Sequence, residues 1–203
     1  NPITILPDRM IPEKRQWLEN RLHGIEGINI HQVPSERGGS SAQSFRYAME
    51  YAINNFPDDA LVYLVEDDYL HLPYGPQAIE EGLKRADYVT LYDCIDKYVP
   101  ASKGGNPLID QTGSDETRVI LTPTTHWRLT NSTTCTFAAQ VKTLKRDFEI
   151  WKKHCFVTDD QKHPNDFPCF LELRENNRTL ISPIPSLSTH AEPGWLAPRI
   201  DWM

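Results

Sequence analysis

The sequence predicts an α/β fold, a three-layer sandwich around a mainly parallel mixed sheet, and three features carry that prediction. Short apolar strands alternate with helices through the first half of the chain, in the order β-α-β-α-β-α-β. One strand, "ALVYLV" at 60–65, is apolar without interruption, as expected where a sheet is covered on both faces. The chain has 203 residues, 39% of them hydrophobic and 24% charged, which suits a single domain with a sizeable core.

The elements follow in order. "ITIL" at 3–6 is a β-branched run stopped by Pro7 and Asp8, and "EKRQWLENRLHG" from Glu13 to Gly24 has helical spacing with a glycine end. "INIHQV" at 28–33 alternates like a strand. The helix in "SSAQSFRYAMEYAINNF" opens on capping serines and carries apolar Ala42, Phe45, Ala48, Met49, Ala52 and Ile53. After "ALVYLV" comes "GPQAIEEGLKRA", a helix with proline in its first turn, then the strand "DYVTLYD" at 87–93. Beyond Asp96 the composition shifts. Lys97 to Glu116 is rich in glycine, proline and polar residues and reads as a long surface loop, of a kind that closes over a ligand. "TRVILT", "HWRLT" and "TCTFAA" are short β segments with hairpin character, "VKTLKRDFEIWKKHC" and "CFLELREN" are helical, and "TLISPIP" is strand-like. The tail "SLSTHAEPGWLAPRIDWM" has no clear periodicity.

One domain over 1–203 is expected, starting without an initiator methionine as a piece trimmed from a longer chain would. The net charge of -7 argues against binding to nucleic acid, which needs a basic surface to displace counterions. No apolar run approaches the roughly 20 residues that span a bilayer, so no membrane span is expected. Cys94, Cys135, Cys155 and Cys169 are too widely spaced for a zinc knuckle or a redox pair. They are expected as reduced, buried thiols, which points to a cytoplasmic setting.

The chemistry concentrates in "LVYLVEDDYLH" at 61–71, where a buried strand runs into Glu66, Asp67 and Asp68. In open α/β sheets, ligands bind at the carboxyl ends of strands. Three adjacent carboxylates repel one another, and a divalent cation relieves that repulsion. Oxygen ligands suit magnesium or manganese, whose remaining positions are commonly filled by phosphate oxygens and water. A diphosphate partner follows from that preference.

An apolar strand ending in a D-x-D-like motif, here "LVYLVEDD", resembles the nucleotide-sugar glycosyltransferases of the GT-A fold. The likeness spans roughly residues 3–192 and implies a donor half at 1–96 and an acceptor half at 97–203. It also implies manganese or magnesium held by Asp68 against the donor diphosphate, with Glu66 and Asp67 near the ribose and the metal waters. Asp8, at the end of the first strand, matches the start of the family's nucleotide pocket. "RGGSSAQSFRYAMEYA" resembles the segment beside the nucleoside. There Gly38 and Gly39 permit close backbone approach, and Ser40, Ser41 and Ser44 offer hydroxyls or helix N-terminal amides. The late His190 corresponds to a further metal ligand. A narrower likeness is to small stand-alone enzymes of bacteria and to chlorella-virus enzymes that decorate capsid glycans, which would place the chain in a host cytoplasm.

The activity so implied is attack by a glycan hydroxyl on C1 of a nucleoside-diphosphate sugar, with UDP the favoured nucleotide and inversion the expected outcome. Inverting members need a general base near a late helix, and Asp166 fits that position, with Asp159 and Asp160 as competitors. Asp93, Trp127 and Arg128 are candidates for contact with the acceptor or the donor sugar. Two rival functions share parts of this pattern: a sugar nucleotidyltransferase, although "LPDRMIPEK" lacks a glycine-rich phosphate loop, and a non-catalytic nucleotide- or carbohydrate-binding module.

Overall fold

A computed structural model describes residues 2–108, 119–156 and 163–202. The chain is a mixed α/β fold. In chain order its strands are β1 (Ile3–Ile5), β2 (Ile28–Ile30), β3 (Leu61–Leu64), β4 (Tyr69–His71), β5 (Tyr88–Val89), β6 (Val119–Leu121), β7 (His126–Leu129), β8 (Phe137–Gln140), β9 (Leu180–Ile184) and β10 (Ser188–His190). The helices are α1 (Pro12–Leu22), α2 (Ser41–Asn55), α3 (Gly75–Gly82), α4 (Val141–Cys155) and α5 (Asp166–Glu175).

Six strands form the main sheet in the order β3-β8-β5-β9-β7-β6. Among the described residues only β5 and β9 of its neighbouring pairs run parallel; the other pairings are antiparallel. The sheet is therefore mixed and mostly antiparallel, which corrects the expectation of a mainly parallel one. The cause is β8, a strand from the second half of the chain. It inserts between β3 and β5 and opposes both. Parallel pairing appears again in β1 with β2, a separate two-stranded sheet, as the opening strand-helix-strand order requires.

Alternation across the strands sends side chains to two cores. On one face Tyr88, Phe137, Ala139 and Leu180 meet Phe45 and Met49 of α2, Leu144 and Trp151 of α4 and Phe170 of α5. Phe137 stacks on Trp151 with centroids 4.9 Å apart, and Phe170 closes edge-on against both rings. On the other face Val89, Ala138 and Ile181 meet Ala78 and Ile79 of α3, together with Trp127. Helices on both faces of one sheet give the three layers anticipated from the sequence.

A second two-stranded ribbon positions the site. β4 and β10 pair antiparallel, with His190 opposite Tyr69, and the backbone N–H of Ala191 donates to the carbonyl of Asp68 at 2.7 Å. All four cysteines are buried and unbridged, as expected. Among the described residues no helix is long and apolar enough to cross a membrane.

Candidate metal centre and its cleft

Strand β3 pairs with β8 in a register that ends at Leu64 opposite Phe137, so the residues that follow β3 emerge beside the 133–136 turn. The N–H of Glu66 donates to Thr136 Oγ1 there at 3.3 Å. The β4-β10 ribbon then brings His190 back against Asp68, with Nε2 2.9 Å from Asp68 Oδ2. Ligand atoms of Glu66, Asp68 and His190 all lie within 4.8 Å of one another. Tyr69 packs edge-on against the His190 ring at 5.4 Å and fixes its plane. Asp67, between the two acids, is exposed and stands outside this cluster.

The electrostatics of the cluster are strained. Burial first, and then the negative charges of Asp68, Asp166 and Asp67, together push the Glu66 carboxyl up to about 7. Among the described residues His190 Nδ1 is buried without a hydrogen-bond partner, and the Glu192 carboxylate lies 3.6 Å from it. Two carboxylates and an imidazole nitrogen form a donor set able to hold a divalent cation, and a cation would relieve the repulsion between the acids. The residues present fit a divalent metal.

Asp166 stands at the first position of α5. Its Oδ2 accepts three hydrogen bonds: from the Thr133 N–H at 3.0 Å, the Thr133 hydroxyl at 2.8 Å and the Cys135 N–H at 3.3 Å. Thr134 and Cys135 adopt left-handed backbone conformations, with φ of 49° and 59°, that side-chain-bearing residues seldom take. Strain of this kind persists where the surroundings impose it, and here it accompanies two amides turned toward one carboxylate oxygen.

The nucleotide-side candidates form a second cluster. Asp8 Oδ2 accepts from the Gly39 N–H at 2.6 Å and from the Ser44 hydroxyl at 2.7 Å, while among the described residues its buried Oδ1 has no hydrogen-bond partner. Ser40 caps α2 by accepting from the Gln43 N–H. Gly38 is required by proximity, since a Cβ there would fall 2.0 Å from Asp8 Oδ1. Gly39 has a φ of +114°, which favours glycine. Ser41 opens α2 as its first residue.

The three sugar-contact candidates are placed otherwise than expected. Trp127 is 0% exposed in the second core, and its indole N–H donates to Thr122 Oγ1 at 3.0 Å, so it cannot stack on a sugar. The alternation of β7 turns it toward α3 rather than a cleft. Asp93 is buried and takes an ion pair from Arg128 and a hydrogen bond from the Tyr98 hydroxyl. The pair is largely withdrawn from the surface, with 13% of the Arg128 side chain and 2% of the Asp93 side chain exposed. The competing bases Asp159 and Asp160 lie outside the described residues, as does the loop from 109 onward to Glu116.

What the sequence did not single out is the tail. Glu192 and Trp195 line a cleft of about 490 Å³ shared with Asp166, His190, Asp96 and Ser132. Their only signal is adjacency to His190 in "HAEPGW". No protein-family model matches this chain, and no curated protein matches it.

Proposed function

We propose that the chain is a metal-dependent glycosyltransferase of the GT-A type. It moves a sugar from a nucleoside-diphosphate sugar, with UDP the favoured nucleotide, to a glycan hydroxyl with inversion at C1. The observation that carries this is the convergence of Glu66, Asp68 and His190 on one point, with Asp166 across the adjoining cleft. The buried, unbridged thiols fit a reducing cytoplasm.

Glu66, Asp68 and His190 are the residues that would hold the metal. When bound there, a divalent cation offsets negative charge on the departing diphosphate. Asp166 receives the proton of the acceptor hydroxyl, at the carboxylate oxygen left open by the three bonds to Oδ2. The acceptor oxygen bonds to C1 as the bond from C1 to the phosphate oxygen breaks, and the nucleoside diphosphate leaves. Asp8, Gly38 and Gly39, grouped at the head of α2, are the residues assigned to the nucleoside.

The test is a transfer assay with manganese across UDP-, GDP- and dTDP-sugars, comparing wild type with Asp166→Asn. Asparagine retains an oxygen that accepts the Thr133 and Cys135 bonds but cannot take the proton. Transfer should fall roughly a hundred- to ten-thousand-fold while donor affinity holds. Equal loss of donor affinity would assign Asp166 a structural role. Nucleotide binding without any turnover would favour the non-catalytic module.

A further inference from the structure

Trp195 stands at the cleft with 42% of its surface exposed, on a tail that contains no regular element. Its backbone is nonetheless tied on both sides. The Trp195 N–H donates to the Glu192 carbonyl at 2.8 Å, and the hydroxyl of the buried Tyr92 donates to the Trp195 carbonyl at 2.6 Å. Two residues on, the Ala197 N–H donates to Thr189 Oγ1 at 2.8 Å, anchoring the tail to β10. A backbone held in this way needs no ordering when a ligand meets its side chain, and an aromatic face the size of an indole matches the C–H face of a pyranose.

The charge around it narrows the ligand. Asp96, Asp166 and Glu192 line the cleft, and among the described residues its lining holds no lysine or arginine. Lys97, next to Asp96, has only 4% of its side chain exposed and is committed to Asp96 at 2.9 Å and Ser132 at 2.7 Å. A ligand bearing a carboxylate or phosphate would meet the like charges of Asp166 and Glu192 in a partly desolvated space, Asp96 being offset by Lys97. A neutral sugar would meet hydrogen-bond acceptors, and the cleft volume lies in the range that takes small ligands.

We propose that this cleft is the acceptor subsite, that Trp195 is its platform, and that the acceptor sugar is uncharged rather than a uronic acid or a phosphosugar. The acceptor role rests on the transferase reading of the neighbouring acids; the sugar contact itself does not. Saturation-transfer NMR on the metal-free protein, with methyl β-glucopyranoside, methyl β-galactopyranoside and methyl β-glucuronide as probes, tests it directly. The neutral glycosides should bind, with the glucuronide about tenfold weaker. Trp195→Ala should weaken neutral binding by about tenfold, and Trp195→Phe should recover most of it. Binding that ignores Trp195→Ala, a glucuronide that binds as well as the neutral probes, or no binding of any glycoside would each overturn the proposal. Calorimetric titration of manganese into the wild type separates the two claims: glycoside binding at Trp195 without manganese binding would sink the acceptor role and leave the sugar contact standing.

Discussion

Gly38 illustrates how a missing side chain decides local packing. Its missing side chain lets the Asp8 carboxylate sit against the backbone, where Gly39 and Ser44 hold Oδ2. Gly38→Ala should therefore destabilise the fold by about 1–3 kcal/mol, read as a lower urea midpoint, and weaken UDP binding. An unchanged midpoint would mean that Asp8 swings aside at no cost. At this scale the sequence was informative where charge chemistry is distinctive. Clustered acids after an apolar run, a late histidine and an aspartate opening a helix are visible in a string of letters. Trp127 was not readable in the same way, because a tryptophan looks alike whether it faces a sugar or a core, and only the alternation of β7 against α3 decides. The pairing of Asp93 with Arg128 was hidden for a related reason, since 35 residues separate them in the chain.

Among the elements, α4 owes its position to a buried charge as well as to Trp151. Asp147 is 2% exposed and accepts from Arg146, Arg178 and the Tyr88 hydroxyl, which joins α4 to β5 and to the turn before β9. Burial pushes the Asp147 carboxyl up, but hydrogen bonds from Arg146, Tyr88 and Arg178, with the charge of Arg146, outweigh it and leave it below the usual range. A carboxyl depressed in the fold adds stability above its unfolded value, about 3.9, and loses it as the pH falls through the lower folded value. Wild type should thus lose urea resistance below about pH 4, while Asp147→Asn, destabilised by roughly 3 kcal/mol at neutral pH, should show a flatter acid limb. Parallel acid limbs would remove Asp147 from that role. Helices and long apolar strands were legible from periodicity, and α4 appears over the very residues read as helical. The strands β4 and β10 were not, because "YLH" and "STH" lack the alternating isoleucines that marked β1 and β2, yet they are what joins His190 to Asp68. The mixed sheet was equally hidden, since local order in the first half of the chain says nothing of a strand arriving from residue 137.

At the scale of the molecule, two aromatic and aliphatic cores clamp one sheet, and the acids gather where β3 leaves it. The net charge of -7 leaves these acids in a surrounding field that favours cations. The segment after β5, the ribbon strand β10 and helix α5 each contribute to the cleft, so the site exists only in the folded chain. Its central claim is that Glu66, Asp68 and His190 exist to bind a divalent ion against a diphosphate. Calorimetric titration of manganese with UDP present, into wild type and Asp68→Ala, tests that claim most directly. Wild type should bind one ion per chain, with affinity enhanced by UDP, and Asp68→Ala should weaken binding on the order of a hundredfold. Equal manganese affinity in the two proteins, or none in either, would contradict it.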